Sequence, residues 1–256
     1  MRLVIKVGTS TLAHSSGKLN IRRVEELCKV ISDLKNAGNE IVLVSSGAIG
    51  MGVGKLNLPA RPSDMPTKQA AAAVGQCELM YTYDKLFSEY NHTVAQILIT
   101  GDDIENEGRR LHFINTMEKL LELGALPVIN ENDTVATAEI AVGDNDTLAA
   151  IVAVNIKAQL LVLLTDIDGL YSADPKKDKT AKLIPIVGNI DDKIISLAGG
   201  AGSSLGTGGM ATKIHAAQIC TESGTDMIIA NGSNPQILYN ILEGEGRFTY
   251  FKGKRL

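Results

Sequence analysis

Residues 41–52 read IVLVSSGAIGMG, an apolar run followed by a glycine-rich segment. The apolar run at residues 41–44 is typical of a strand buried on both faces of a parallel sheet. Small residues and glycines follow directly, and a helix is predicted to start after them. A strand, a glycine-rich turn and a helix start together predict a nest of backbone N–H groups that binds an anion. A glycine-rich turn required only for packing remains the alternative at this point.

The same alternation of short apolar runs and helical patterns continues along the chain. Further strands are predicted at residues 3–7, 94–99, 126–129, 160–164 and 227–230. Helices are predicted at residues 22–37, 76–90, 115–123, 145–155, 214–220 and 235–242. Because helices separate the strands, we expect right-handed crossovers and an α/β fold with a mostly parallel central sheet, covered by helices on both faces.

The composition is typical of an ordinary globular protein. The 256 residues are 45% hydrophobic and 21% charged, and their net charge is −4. This charge argues against wholesale nucleic-acid binding, and aromatic residues at 4% are too few for a base-stacking platform. Three cysteines without paired spacing predict reduced thiols in a cytoplasmic protein. The sequence contains neither a signal-peptide pattern nor an apolar run of about 18 residues, so no membrane span is expected.

Two of the loops after predicted strands have features that favour phosphate binding. Lys6 lies at the end of the first strand, and Gly8 lets backbone N–H groups approach an anion closely. Residues 206–213, GTGGMATK, place glycines before a lysine on a predicted helix. A surface lysine before a tight turn is the alternative for the first pattern, and a flexible loop is the alternative for the second.

A third loop is acidic and lies between the predicted strand at 126–129 and the helix at 145–155. Five carboxylates fall within residues 131–146, and helix capping by Asp144 or Asn145 explains only one position. Such a cluster suits an ammonium group or a pair of lysines. The ligand spacing of an EF-hand is missing, and the four histidines share no metal-binding motif, so no protein metal ligands are predicted. Caps in a solvated loop remain the alternative.

Seven motifs in fixed order resemble those of the amino acid kinase family and, within it, the glutamate 5-kinases. They are KVGTS (6–10), VSSGAI (44–49), QAAAAVGQ (69–76), VINENDTV (128–135), VGDND (142–146), LTDIDGLYSADP (164–175) and GTGGMATK (206–213). The resemblance covers essentially the whole chain. It implies a three-layer αβα sandwich and transfer of the ATP γ-phosphoryl group to the γ-carboxylate of L-glutamate, the first step toward proline.

The resemblance also implies roles for individual residues. Lys6 and Lys213 are expected to flank the transferred phosphoryl group, with Asp146 holding both lysines. The residues implied in glutamate binding are Ser46, Asp133 and Asn145, with Asn130 and Asp144 in support. The residues implied in ATP binding are Lys6, Thr165, Asp166, Thr207, Gly208, Gly209, Met210, Ala211, Thr212 and Lys213. Magnesium is expected to bind the phosphates, with water completing its coordination shell.

We expect residues 1–256 to form a single amino acid kinase domain, whose N-terminal lobe binds glutamate and whose C-terminal lobe binds ATP. The C-terminal PUA module of many bacterial relatives is expected to be absent. The resemblance further implies a homodimer or tetramer, proline as a feedback inhibitor, and contact with a glutamyl-phosphate reductase, since an acyl phosphate is labile. Nucleic acid and membrane are not expected as partners.

Two other functions are compatible with these motifs. One is a kinase of the same fold for N-acetylglutamate, aspartate or carbamate. Acetylglutamate kinases usually show a Gly-Gly pair after the first lysine, where this chain has only Gly8. Asp133 also favours a substrate with a free ammonium group. The other is a non-catalytic amino-acid or nucleotide sensor, which the joint presence of Lys6, Asp146 and Lys213 disfavours.

Overall fold

The computed structural model describes residues 1–14, 18–137, 142, 144–199 and 209–254. Its strands are β1 (Arg2–Val7), β2 (Glu40–Ser45), β3 (Val94–Ile99), β4 (Leu126–Glu131), β5 (Leu160–Thr165), β6 (Ile186–Val187), β7 (Asp226–Asn231) and β8 (Phe248–Phe251). Its helices are α1 (Thr9–Leu12), α2 (Ile21–Asn36), α3 (Ala48–Lys55), α4 (Met65–Ser88), α5 (Gly101–Glu105), α6 (Glu107–Glu122), α7 (Asn145–Asn155), α8 (Asp192–Leu197), α9 (Met210–Glu222) and α10 (Ile237–Glu243).

The strands form one sheet in the order β3-β4-β2-β1-β5-β7-β8-β6. The described pairings between these strands are parallel except that of β7 with β8, which is antiparallel. β1 lies near the centre, where Lys6 pairs in register with Val44 of β2 and Leu163 of β5. The predicted mostly parallel sheet is therefore confirmed. Because β2 and β5 flank β1, Lys6 lies in the middle of the sheet edge.

Helices cover both faces of the sheet and enclose two apolar clusters. One cluster joins the sheet to α6, α7 and α9, and the other joins it to α2, α4 and α10. Side chains alternate between the clusters along a strand, so that Val4 faces the first while Leu3 and Ile5 face the second. The predicted three-layer αβα sandwich is confirmed. Among the described residues no helix has the length and apolarity needed to cross a membrane.

Two helices begin earlier than the apolar periodicity predicts. Helix α4 starts at Met65, where Asp64 caps it by accepting a hydrogen bond from the Thr67 N–H at 2.9 Å. Helix α6 starts at Glu107 with Asn106 as its cap. In α4 the alanine-rich first half lacks large apolar residues because it packs against another helix at close range, so the periodic pattern is missing there.

The first half of α4 and the whole of α3 contact each other at backbone distance. A Cβ atom added to Gly75 of α4 would lie 1.7 Å from the carbonyl oxygen of Ala48 at the start of α3. A Cβ atom added to Gly52 of α3 would lie 1.8 Å from the Ala71 carbonyl oxygen of α4. Only glycine fits at these two crossing points, so α3 is held rigidly on α4.

The short elements β6 and β8 and helices α1, α5 and α8 carry too few residues to show a period in sequence. Residues 176–182 form turns that are mostly exposed. Most of the glycine-rich stretch 197–210 lies outside the described residues.

Candidate active site

The predicted site residues lie along one edge of the sheet, at the carboxyl ends of the central parallel strands. Lys6 is the penultimate residue of β1, Ser46 follows β2, and Thr165 ends β5. The N-termini of α7 and α9 lie at the same edge, because Asp146 near the start of α7 contacts Lys6 and Lys213 near the start of α9 contacts Asp146. Ligands of open parallel sheets bind at this edge, where the loops diverge.

A buried carboxylate joins the two lysines. Asp146 Oδ1 lies 2.7 Å from Lys6 Nζ, and Asp146 Oδ2 lies 3.0 Å from Lys213 Nζ. Asp146 is 1% exposed, Lys6 9% and Lys213 5%. Lys6 lies on a strand, and Asp146 and Lys213 lie near the starts of two helices. These three elements are far apart in the chain. One carboxylate thus holds two ammonium groups at a fixed separation and leaves a net positive charge.

The electrostatics of this cluster favour the ionised carboxylate. Burial alone would raise the pKa of Asp146, but the positive charges of Lys6 and Lys213 outweigh burial and hold that pKa below its ordinary value of 3.8. The Thr212 hydroxyl adds a hydrogen bond to Asp146 Oδ2 at 3.0 Å. Asp146 is therefore an anion at neutral pH, bound on both oxygens.

A relay of amides lies beside the lysines, on the side of β2 and β4. The Asn145 side chain donates from Nδ2 to Ser46 Oγ at 2.8 Å and to Asn130 Oδ1 at 2.9 Å. Asn130 Nδ2 donates in turn to Gln76 Oε1 at 3.0 Å. Since Asn145 precedes Asp146 at the start of α7, this relay and the lysine cluster share one helix N-terminus.

Three carboxylates of the acidic loop, Glu131, Asp133 and Asp144, lie close enough together for their charges to interact. Asp144 caps α7 by accepting from the N–H groups of Asp146 and Thr147. Glu131 Oε1 accepts from the Val142 N–H at 2.6 Å and so fixes the end of the loop. Burial raises the pKa of Asp133, against the opposing effect of the positive charge of Arg61. Burial also raises the pKa of Glu131, and the charges of Asp133 and Asp144 add to that increase.

The residues implied in ATP binding lie on the other side of Lys6, at the ends of β5 and the start of α9. The Thr165 hydroxyl donates to Asp166 Oδ1 at 3.1 Å, and Asp166 is exposed. Gly209 is the N-cap residue of α9, and Met210 and Ala211 form its first turn together with Thr212. Thr207 and Gly208 lie outside the described residues.

Several polar side chains at this edge were not singled out from the sequence. Gln76 was quoted as part of a motif without a role, although an amide in an alanine-rich helix is a usable signal. Asp168 accepts hydrogen bonds from Tyr171 Oη at 2.9 Å and from Asn231 Nδ2 at 3.1 Å, and Arg247 Nε lies 3.3 Å from it. Only the fold brings Arg247 and Asn231 to Asp168, so no local pattern predicts this cluster.

The arrangement can bind a polyanion next to a small zwitterion. Two ammonium groups and the N-terminus of the 13-residue helix α9 supply positive potential for phosphates. Hydroxyl, amide and carboxylate groups supply hydrogen bonds for a polar substrate on the other side. No three His, Cys, Asp or Glu side chains in the described part of the chain come together as a metal site would require.

Known proteins are similar to this chain in sequence. Residues 1–231 match the amino acid kinase family. Glutamate 5-kinase of Clostridium perfringens is 51% identical over 258 residues, covering 99% of this chain and 96% of that protein. Glutamate 5-kinase of Clostridium acetobutylicum is 54% identical, covering 98% and 94%. Glutamate 5-kinase of Caldanaerobacter subterraneus subsp. tengcongensis is 52% identical and longer, since the match covers 98% of this chain and 68% of that protein.

Solved structures show the same architecture at low sequence identity. UMP kinase from Ureaplasma parvum superposes with a TM-score of 0.68 at 16% identity, covering 98% of both chains. An isopentenyl phosphate kinase from T. acidophilum superposes with a TM-score of 0.69 at 17% identity, covering 98% of this chain and 100% of that one. The sequence match over residues 1–231 shows that the chain belongs to the amino acid kinase family.

Proposed function

We propose that this protein transfers the γ-phosphoryl group of ATP to the γ-carboxylate of L-glutamate. The products are γ-glutamyl phosphate and ADP, and the reaction is the first step of proline biosynthesis. The observation that carries the proposal is the pairing of Lys6 and Lys213 through Asp146 directly beside the Ser46–Asn145 hydrogen bond. Relatives that are named glutamate 5-kinase are about 50% identical to this chain over nearly its whole length, and they support the same reaction.

The chemistry needs positive charge and no general base. A glutamate carboxylate has a reference pKa of about 4.3, so it is already ionised and nucleophilic at pH 7. One carboxylate oxygen attacks the γ-phosphorus of ATP while the bond to the ADP oxygen breaks. The obstacle is repulsion between an anion and a triphosphate, and phosphoryl transfer is catalysed mainly by positioning and charge stabilisation. Lys6 and Lys213 supply the charge, and Asp146 fixes where it lies.

Glutamate is proposed to occupy the side lined by the relay and the acidic loop. Asp133 and Asn145 Oδ1 offer acceptors for its ammonium group, and Ser46 offers a hydroxyl donor for a carboxylate. Asn130 and Asp144 act in support, since Asn130 contacts Asn145 and Asp144 caps the helix that carries it. An N-acetylated substrate has no ammonium group. It would leave the Asp133 carboxylate without a cationic partner, which disfavours N-acetylglutamate.

ATP is proposed to bind over Thr165, Asp166 and the start of α9, with its phosphates between Lys6 and Lys213. The absence of a side chain at Gly8 suits the approach of phosphate, because a Cβ atom there would lie 3.5 Å from Lys6 Nζ. Magnesium fits as an ion held by the phosphate oxygens and water, since both Asp146 oxygens are already bound to lysines. When bound, it neutralises part of the triphosphate charge.

The remaining proposals follow from the family. The N-terminal lobe of a single domain binds glutamate and its C-terminal lobe binds ATP. The protein acts in the cytoplasm as a homodimer or tetramer, proline inhibits it at the glutamate side, and a glutamyl-phosphate reductase accepts the labile product.

Trapping of the acyl phosphate with hydroxylamine tests the reaction. Purified protein receives Mg-ATP and hydroxylamine with L-glutamate, N-acetylglutamate or aspartate in parallel. We expect hydroxamate with L-glutamate alone, above a control that contains ATP without an amino acid. Product with another acceptor would overturn the substrate, and folded protein that binds ATP but forms no product would overturn the enzymatic function.

Asp133→Asn is expected to raise the KM for L-glutamate by roughly 10- to 100-fold, as loss of a charge-assisted hydrogen bond does. The KM for ATP should stay nearly constant, because Asp133 lies on the acidic-loop side of the site. Steady-state kinetics with each substrate varied in turn measures both constants. Asp178→Asn, which changes an exposed carboxylate outside the acidic loop, is the control. Equal increases in the two KM values would show that Asp133 does not bind glutamate.

A further inference from the structure

We propose that Gln76 of α4 is a positioning residue that fixes, through Asn130, which atoms of Asn145 and Ser46 face the amino-acid substrate. The inference rests on the proposed glutamate site and assigns a role to the helix motif at residues 69–76. Gln76 does not touch the open side of the site, since it is 7% exposed and lies behind Asn130. Its effect therefore passes through the hydrogen bond from Asn130 Nδ2 to Gln76 Oε1 at 3.0 Å.

Two contacts hold the Asn130 amide in one orientation, a backbone N–H at its oxygen and Gln76 Oε1 at its NH₂ group. The N–H of Glu131 donates to Asn130 Oδ1 at 2.9 Å, and a backbone N–H can only donate. The oxygen of Asn130 therefore faces Glu131 and Asn145, and its NH₂ group faces Gln76. Gln76 must present its oxygen to that NH₂ group, because two facing NH₂ groups would repel each other.

The same reasoning fixes the groups that face the substrate. Asn145 uses Nδ2 to reach both Asn130 Oδ1 and Ser46 Oγ, so its Oδ1 is left as an acceptor. Ser46 Oγ accepts from Asn145, so the hydroxyl hydrogen of Ser46 is left as a donor. In the described part of the chain neither Asn145 Oδ1 nor the Ser46 hydrogen has a protein partner. An acceptor next to a donor matches an ammonium group next to a carboxylate, which is the zwitterionic end of an α-amino acid.

The cost of the arrangement indicates that Gln76 is not present for stability. Its Nε2 atom is buried and has no hydrogen-bond partner among the described residues. A buried amide donor without a partner destabilises a fold, and apolar side chains in place of both Gln76 and Asn130 would avoid that cost. The neighbouring Gly75 holds α3 and α4 at backbone distance, which keeps Gln76 and Ser46 in one rigid unit. A side chain that destabilises the fold is expected beside a binding site when the geometry of that site depends on the side chain.

Three variants separate positioning from packing. Gln76→Met keeps the side-chain volume and removes the acceptor for Asn130, whereas Gln76→Glu keeps an acceptor oxygen at the same place. Thr225→Val is the matched control, because it removes a buried hydrogen bond to the Ala158 carbonyl at the opposite end of the sheet. Gln76→Leu replaces the methionine variant if that variant does not fold. If Gln76→Glu does not fold, the comparison of Gln76→Met with Thr225→Val decides the question.

The readouts are KM for L-glutamate, KM for ATP, and selectivity for L-glutamate over glutarate, which lacks the ammonium group. We expect Gln76→Met to raise the KM for L-glutamate roughly tenfold or more and to lower the selectivity, because Asn130 loses the acceptor for its buried NH₂ group. The KM for ATP should not change. Gln76→Glu should stay close to wild type, and Thr225→Val should change none of the three quantities.

The proposal is overturned if Gln76→Met binds glutamate as wild type does. It is also overturned if Gln76→Met and Gln76→Glu change the KM for L-glutamate equally. It is also overturned if both KM values rise together, which would indicate general loosening. Calorimetric titration with L-glutamate in the absence of ATP separates this proposal from the proposed reaction. Wild-type protein that binds L-glutamate but forms no hydroxamate leaves the Gln76 test in place through Kd. Wild-type protein that does not bind L-glutamate overturns both.

Discussion

We expect Lys213→Met to lower kcat with L-glutamate roughly 1,000-fold while the protein remains folded. Lys213 carries one of the two buried ammonium groups proposed to face the transferred phosphoryl group. Removal of one preorganised group that stabilises charge in a transition state costs this order of rate. Methionine fills the apolar part of the lysine site, and Asp146 retains Lys6 and Thr212 as partners.

The change should appear mainly in kcat, because the contribution of Lys213 is greatest when charge develops on the phosphoryl group. Steady-state assays of hydroxamate formation measure it, and circular dichroism checks the fold. Lys29→Met, which removes an exposed lysine on the outer face of α2, is the matched control and should keep full turnover. A kcat close to wild type in Lys213→Met would remove Lys213 from the mechanism.

Asp146→Asn is expected to lower kcat by a similar factor and also to destabilise the protein. The change leaves two neighbouring ammonium groups without the anion that separates them. Removing one partner of a buried ion pair typically costs about 3–5 kcal/mol of unfolding free energy. The KM for ATP should rise as well, since repulsion displaces Lys6 and Lys213 from the positions proposed for phosphate binding.

The loss of stability in Asp146→Asn is expected to depend on pH. The pKa of Asp146 in the folded protein lies below its ordinary value of 3.8, so its stabilising effect is fully present above about pH 5. That effect is lost as the pH falls through the folded pKa, where protonation makes the wild-type side chain neutral like asparagine. Urea unfolding at several pH values should therefore show a stability difference between wild type and Asp146→Asn that shrinks on acidification. A difference independent of pH would show that Asp146 is not held as an anion by the lysines.

Helix α7 is the element that the sequence predicted most completely. Residues 145–155 were predicted as an apolar helix capped by Asp144 or Asn145, and the structure places the helix at Asn145–Asn155 with Asp144 as its cap. The strands around β1 were also predicted within one or two residues, because they are buried on both faces and read as continuous apolar runs. These local signals suffice to bring the ends of β1, β2 and β5 to one edge.

The rest of the site depends on contacts between distant residues. The hydrogen bonds of Gln76 with Asn130 and of Thr212 with Asp146 join elements that no local pattern connects. The start of α4 was missed because close packing of Ala71 and Gly75 on α3 replaces the usual periodic apolar face. The family resemblance supplied residue roles that the local physics of each loop left open, and those roles remain predictions until the variants are measured.

The position of Lys213 late in the chain has a consequence for synthesis of the protein. Lys213 lies 67 residues after the aspartate that it pairs with. At about 5–20 residues per second, a ribosome needs roughly 3 to 13 s to make that interval. During this time the nascent chain can bring Asp146 to Lys6 but not to Lys213. The amino-acid side of the cleft can therefore assemble during translation, whereas the phosphate side is completed only when α9 has left the exit tunnel.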